Sequence, residues 1–201
     1  GQVIQGCASR DFLEEGEILI PLEKLYRRYT GDSLAVKLAE FSEVTERIQY
    51  LTDEVEKITK LKNFGSYLTA MLEIDAFFLN EDRHTNNIAV IYQEETQQYA
   101  LSPLFDQGLC LLADVKMDYP LELPLEACLE HIEAKPFSAD FDEQLEAAEA
   151  LYGIQLQFHF SFKEVQRELD QIAEGYSDAV RERVEQLLRQ QIRKYAYLIK
   201  A

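Results

Sequence analysis

The sequence predicts a mainly α-helical fold with a small β-hairpin, organised as a single domain. Apolar residues recur at steps of three and four through several long segments, which is the spacing of residues on the buried face of a helix. Two β-rich runs, residues 88–92 and 98–101, flank a short polar turn and therefore predict a hairpin. No repeat, low-complexity tract or clear interdomain linker interrupts residues 1–201, so we expect one core.

The composition is that of an ordinary globular protein. Hydrophobic residues make up 47% of the chain and aromatic residues 11%, which is enough for one substantial core and unlike a disordered chain. The 37 Asp and Glu residues outnumber the 20 Lys and Arg residues, giving a formal net charge of −17. This charge disfavours nucleic acids and anionic membranes as partners, because both are bound through clustered cations. A nucleotide held through magnesium is compatible with it.

The three cysteines, Cys7, Cys110 and Cys128, are expected to be reduced and mostly buried thiols. Their number is odd and no C-x-x-C spacing occurs, which argues against a disulfide framework, and the histidines are too scattered for a zinc site. No apolar run approaches the ~20 residues of a membrane span, and no signal-peptide pattern opens the chain. We therefore expect a soluble, cytoplasmic protein.

The N-terminal segments are predicted to form short strands and a helix. Residues 3–13 have the pattern of a short strand followed by a turn, in which Gly6 permits close backbone approach, and residues 18–20 suit another short strand. Pro21 suits the start of a helix that runs to about Tyr29.

Two further helices are predicted before the middle of the chain. Asp32 or Ser33 can cap a short helix over residues 34–41, and Ser42 is expected to open a longer one. In the longer helix the apolar residues form one stripe, which is too short to favour a coiled coil and should dock on the core. This stripe consists of Val44, Ile48, Leu51, Val55 and Ile58.

The helix predicted over residues 64–79 is apolar around much of its girth and should therefore lie in the core. It leads into a polar loop and then into the hairpin. Residues 109–124 are irregular, with Pro120 and Pro124 bracketing a surface segment. The remaining chain predicts four helices, over residues 125–132, 141–151, 162–172 and 177–199.

A polar cluster precedes the hairpin and a second acid follows it. Asp82 and Asn87 stand five positions apart, Asp106 lies 19 positions further on, and Gly108 comes two residues later. Phosphoryl transfer needs magnesium, which prefers oxygen ligands, and a carboxylate near the attacking hydroxyl. In protein kinases the catalytic Asp and a metal-binding Asn are likewise five positions apart, and a metal-binding Asp comes later. The segment 79–108 is therefore predicted to contain the catalytic and metal-binding loops of a kinase.

Individual residues of this cluster are also compatible with simpler roles. Asp and Asn are common in turns, so Asp82 considered alone could be a turn residue. Arg83 could contact a phosphate or brace the loop, and the sequence does not separate these two roles. For His84, a structural role in the loop is favoured over proton transfer, and it has no partners for a zinc site.

Two motifs, N-E-D-R-H-T-N-N at residues 80–87 and S-P-L-F-D-Q-G at 102–108, resemble those of the HipA-like serine/threonine kinase family. The runs A-S-R-D-F at 8–12 and A-K-P-F-S at 134–138 resemble the same family more loosely. The resemblance spans about residues 3–142, and the terminal helices add only general agreement.

The resemblance implies a protein-kinase-like C-terminal lobe, with a hinge-like segment at residues 1–13 and C-terminal helices over 125–201. The implied reaction transfers the γ-phosphate of ATP to Ser or Thr of a protein. Asp82 would be the base that orients the substrate hydroxyl, while Asn87 and Asp106 would bind Mg²⁺. The implied nucleotide-binding residues are Gly6, Cys7 and Ala8, as the hinge that meets adenine, and Arg83.

A kinase also needs an N-terminal lobe that covers the phosphates and supplies a lysine to them. No G-x-G-x-x-G or V-A-I-K-like run occurs in the sequence, and the chain begins with Gly1. We therefore expect the N-terminal lobe to be absent and the chain to be inactive without its missing lobe or a regulatory partner. The chain is then either the C-terminal lobe of a longer kinase, which the sequence favours, or a natural remnant of a kinase.

Two other functions are compatible with the sequence. Phosphatidylinositol 3-kinases share the D-R-H-x-x-N loop, so a lipid or small-molecule kinase is an alternative, although the charge of −17 disfavours docking on anionic membranes. The missing lobe and the many acidic residues are also compatible with a non-catalytic acidic helical module that binds a basic partner.

Overall fold

The computed structural model describes residues 8–200, and this part of the chain confirms the prediction of a mainly helical fold with a small β element. Three strands and eight α-helices are found among these residues, followed by a short 3₁₀ turn. Their bounds are β1 Glu17–Pro21, α1 Leu22–Thr30, α2 Leu34–Ala39, α3 Val44–Thr59, α4 Phe64–Phe78, β2 Ala89–Gln93, β3 Gln98–Leu101, α5 Leu125–Leu129, α6 Phe141–Tyr152, α7 Phe162–Gln171 and α8 Asp178–Lys194, with the 3₁₀ turn at Ala196–Leu198.

The β element is a three-stranded antiparallel sheet rather than a hairpin alone. The predicted hairpin forms from β2 and β3, and β1 pairs with the other edge of β2, so that Ile18 lies opposite Tyr92. Pro21 ends β1 and leads directly into α1, whose first amide, at Leu22, donates to the carbonyl of Ile88 at 2.8 Å. This bond ties α1 to the end of the polar loop, where β2 begins.

Helix α4 runs through the centre of the fold, as its apolar composition predicts. Its N-terminal half, including Phe64 and Leu72, packs in a core formed with the sheet and α1–α3. Its C-terminal half, including Phe77, packs in a second core formed with α5, α6 and α8. Gly65 permits the close approach of α6, because a Cβ at this position would lie 2.4 Å from the ring of Tyr152. Helix α4 is therefore packed against neighbouring elements on several sides.

The predicted stripe of α3 is buried, apart from its last residue, Ile58, which is partly buried against the same core. Ser33 caps α2 by accepting from the amide of Val36, as predicted. Helix α3 begins at Val44, two residues later than predicted, and ends where Lys60 adopts a left-handed conformation with φ of 67°.

The C-terminal half follows the prediction with two differences. Helix α5 ends at Leu129, three residues early, and the last predicted helix ends at Lys194 and continues as the 3₁₀ turn. Arg183 of α8 is buried and donates to the carbonyls of Tyr119, Pro120 and Leu123. The irregular segment before α5 is therefore anchored to α8, although it contains no helix or strand of its own.

Residues 8–13 form neither a helix nor a strand, and the strand predicted within residues 3–13 otherwise lies outside the described residues. Cys110 and Cys128 are free thiols, Cys128 is buried, and Cys7 is outside the described part. Burial raises the pKa of Cys110 to about 12, so its thiol is protonated at neutral pH. Between residues 8 and 200, no helix is long and apolar enough to cross a membrane.

Candidate active site

The polar loop begins at the C-terminus of α4. Leu79 ends the helix in a left-handed conformation with φ of 53°, and the amides of Leu79 and Asn80 both donate to the carbonyl of Asp75. The loop then turns tightly twice, because the amide of His84 donates to the carbonyl of Asp82 at 2.9 Å and the amide of Asn87 donates to the carbonyl of His84 at 2.8 Å. The backbone of the loop is thus closed by its own hydrogen bonds.

Arg83 lies inside the protein and braces the loop. Its side chain is 0% exposed and forms a bidentate pair with Asp75, with Nε at 2.7 Å from Oδ2 and Nη2 at 2.9 Å from Oδ1. Its Nη1 donates to the carbonyls of Asn87 at 2.8 Å and Phe105 at 2.9 Å. Of the two roles expected for Arg83, these hydrogen bonds correspond to the bracing role. A contact between Arg83 and a phosphate stays a prediction.

The hydrogen bonds of Arg83 join the two segments that contain the predicted site residues. Asn87 and Phe105 lie on opposite sides of the hairpin, and one nitrogen of Arg83 contacts the carbonyl oxygens of both. Because Phe105 directly precedes Asp106, the loop that contains Asp82 and the segment that contains Asp106 meet at the buried guanidinium.

Asn80 strengthens the same junction. Its buried amide donates to Asp75 Oδ1 at 2.9 Å and to Gln107 Oε1 at 3.3 Å, while its oxygen accepts from the amide of Asp82 at 3.2 Å. Burial raises the pKa of Asp75, and the hydrogen bonds and charge of Arg83 act against that shift. Asp75 and Asn80 therefore position the loop, but neither residue was selected from the sequence.

Asp82 presents its carboxylate at the surface of the site. Its side chain is 31% exposed, with Oδ1 at 3.5 Å from Lys135 Nζ and Oδ2 at 3.9 Å from His84 Nε2. His84 Nδ1 is buried and has no hydrogen-bond partner among the described residues. The carboxylate thus combines a fixed backbone with access from solvent, as a residue that meets a substrate hydroxyl requires.

Asn87 is buried and is coupled to Asp82. Its Nδ2 donates to the carbonyl of Asp82 at 2.9 Å, and its carboxamide oxygen accepts no hydrogen bond within residues 8–200. The amide group is therefore oriented by Asp82, and its oxygen is left for another ligand.

Asp106 is exposed and has a left-handed backbone with φ of 57°. Both neighbours of Asp106 accept a hydrogen bond: the carbonyl of Phe105 from Arg83, and the side chain of Gln107 from Asn80. Asp is one of the few non-glycine residues that adopt this conformation with some frequency, and the hydrogen-bonded neighbours on both sides support it here. The Asp106 carboxylate makes no hydrogen bond within the described part of the chain.

The candidate metal ligands are hard oxygen atoms, which suit Mg²⁺. Among residues 8–200, no group of three or more His, Cys, Asp or Glu side chains is arranged to hold a metal ion. One carboxylate and one amide fit a magnesium ion that keeps water and phosphate oxygens as its other ligands, as is usual at nucleotide sites.

The hinge predicted to meet adenine is largely outside the described residues. Gly6 and Cys7 fall there, and Ala8 is exposed. The ring of Phe12 contacts that of Phe105 with centroids 6.4 Å apart, so the segment after Ala8 reaches the residue that precedes Asp106. A role in adenine binding stays a prediction.

The sequence contained a detectable signal for Asp75 only. Like Glu73 two positions before it, Asp75 is an acid within the apolar part of a core helix, where a buried charge requires a partner. Lys135 lies in the run A-K-P-F-S at residues 134–138, which resembles the family, but the sequence did not indicate its contact with Asp82, which is 53 positions away.

Glu23 of α1 also contacts the polar loop, through Thr85. Its carboxylate accepts from Thr85 Oγ1 at 3.3 Å, from the amide of Ala35 at 3.0 Å and from Arg27 at 3.0 Å. Burial alone would raise the pKa of Glu23, but the hydrogen bonds, which include one from Ser33, lower it overall. The ionised carboxylate therefore links α1, α2 and the loop.

Replacing Glu23 with glutamine should lower the free energy of unfolding by about 1–2 kcal/mol at neutral pH. Because folding lowers the pKa of Glu23, its stabilisation of the fold is fully present above the unfolded-state pKa, which is close to 4.5. This stabilisation is lost as the pH falls through the pKa of the folded state. Urea unfolding across that range measures it, with exposed Glu95→Gln as the matched control. A Glu23→Gln deficit that is the same in acid as at neutral pH would contradict the linkage.

No protein-family model matches the chain, and no curated protein matches it in sequence. Among solved structures, the crystal structure of a Helicobacter pylori proinflammatory kinase, CtkA, is similar to it, with a TM-score of 0.57 and 15% sequence identity. The match covers 92% of this chain and 70% of that one. At this identity the likeness establishes the fold alone.

The chain therefore has a kinase-like fold, which confirms that part of the fold prediction. Membership of the HipA-like family and the absence of an N-terminal lobe stay predictions.

Proposed function

We propose that the protein is a HipA-like kinase that transfers the γ-phosphoryl group of ATP, with Mg²⁺, to a Ser or Thr hydroxyl of a protein. The observation that carries the proposal is the buried Arg83 clamp, which joins the Asp82–Asn87 loop to the segment that contains Asp106. Such a junction positions a candidate base and two candidate metal ligands relative to one another, within a fold shared with a kinase.

Each candidate has one role in the proposed reaction. Asp82 accepts the proton of the substrate hydroxyl as its oxygen forms a bond to the γ-phosphorus. The bond from that phosphorus to the bridging oxygen breaks, and its electron pair stays on ADP. Asn87 and Asp106 would bind magnesium, and the ion would neutralise part of the charge on the phosphates.

The protein substrate is favoured over a lipid by the net charge of −17, which opposes stable docking on an anionic membrane. We further propose that another segment or a partner protein supplies the phosphate-covering half of the nucleotide cleft, since the sequence contains no glycine-rich phosphate loop. A cytoplasmic location follows the same proposal, because ATP is the co-substrate.

Replacing Asp106 with asparagine should weaken magnesium-dependent ATP binding by at least about tenfold, because even groups that only orient a metal ligand contribute about 10–100-fold. Isothermal titration calorimetry of the natural full-length protein, with and without Mg²⁺, measures the effect. Exposed Asp32→Asn is the matched control and should bind as the wild type does.

Two results would contradict the proposal. Equal binding by wild type and Asp106→Asn would remove Asp106 from the metal site. A wild-type protein that binds no nucleotide at all would instead favour the non-catalytic acidic module.

A further inference from the structure

The cation next to the candidate base comes from a distant part of the chain. Lys135 Nζ lies 3.5 Å from Asp82 Oδ1, and Lys135 belongs to the segment between α5 and α6. This segment is close to the loop at a second point, since Glu81 accepts a hydrogen bond from the amide of Glu133.

Buried neighbours fix the backbone that presents Lys135. Ala134 and Phe137 are buried, and the amide of Ala134 donates to the carbonyl of Ala139 at 2.8 Å. Arg47 of α3 donates to the carbonyl of Phe137 at 2.6 Å. The lysine is thus placed by anchors on both sides of it.

The ion pair itself contributes little to the fold. The side chains of Lys135 and Asp82 are 50% and 31% exposed, and exposed pairs typically contribute about 0–1 kcal/mol. Lys135 therefore lies beside the candidate base through an ion pair that contributes little to stability. Such a placement is expected of a side chain that contacts a ligand. In a chain with a net charge of −17, Lys135 is also a local source of positive charge for an anion.

We propose that Lys135 is a catalytic residue that contacts the phosphoryl group being transferred, an inference that rests on the proposed kinase function. The acceptor oxygen bonds to phosphorus beside Asp82, which takes the proton, while the electron pair of the broken bond leaves with ADP. The ammonium group of Lys135 is positioned to stabilise the negative charge on the phosphoryl oxygens during this step.

The test compares a non-hydrolysable ATP analogue with ADP, each bound with Mg²⁺ and measured by calorimetry on the natural full-length protein. Lys135→Met should weaken binding of the analogue by about tenfold or more while leaving ADP binding unchanged, because only the analogue contains a γ-phosphate. Lys135→Arg should retain most of the affinity. Lys116→Met, at an exposed lysine, is the matched control.

The outcomes separate this inference from the function on which it rests. If Asp106→Asn weakens binding of both nucleotides but Lys135→Met weakens neither, or both equally, the kinase proposal stands and the role of Lys135 is wrong. If the wild type binds neither nucleotide, both proposals are overturned. Circular dichroism and thermal unfolding of Lys135→Met should match the wild type, because the side chain is half exposed.

Discussion

Replacing Asp82 with asparagine should lower phosphoryl transfer by about 10²–10⁴-fold, which is the usual contribution of a positioned general base. Asparagine has a similar shape but cannot accept the proton of the substrate hydroxyl. The loop should keep its structure, because its hydrogen bonds use the backbone amide and carbonyl of Asp82 rather than its carboxylate. The loss is therefore expected in kcat, with nucleotide affinity largely retained.

Labelled ATP and the natural full-length protein provide the measurement, scored as phosphate incorporated into protein. Exposed Asp118→Asn is a matched control in the irregular segment before α5. Undiminished incorporation by Asp82→Asn would eliminate Asp82 as the base. Labelling of an inositol lipid but not of protein would instead support the lipid-kinase alternative.

Replacing Arg83 with methionine should lower the free energy of unfolding by about 3–5 kcal/mol, because it leaves the carboxylate of Asp75 buried without its charged partner. The carbonyls of Asn87 and Phe105 would also lose a buried donor. Chemical denaturation measures the loss. Magnesium-dependent nucleotide binding should fall as well, since the two segments of the site would no longer be joined.

Two further variants distinguish this explanation from a general sensitivity to arginine loss. Arg27→Met removes a guanidinium that is 62% exposed and paired with Glu23, so it should cost less than about 1 kcal/mol. The double variant Asp75→Leu with Arg83→Met should recover part of the stability lost in Arg83→Met, because it removes the unpaired buried charge. An Arg83→Met protein as stable as Arg27→Met would show that the clamp is not needed.

Most helices and the hairpin could be predicted from the sequence, because each depends on neighbouring residues. The buried stripe of α3 repeats within one helix, Ser33 caps the helix that follows it, and Pro21 precedes the helix it was expected to start. The central position of α4 followed from its apolar composition. Spacing alone also selected Asp82, Asn87 and Asp106, which the structure places on two segments joined by one side chain.

The sequence by itself therefore determined the helical fold class, the hairpin and the residues to be tested. Only the tertiary structure decided that β1 completes the sheet, that Arg83 braces the loop from inside, and that Lys135 stands beside Asp82. Each of these depends on a contact between segments that are far apart in the chain. Hydrophobic periodicity and turn chemistry reflect local conformation, whereas the partner of a strand edge, a buried charge or an exposed lysine is set by how the elements pack.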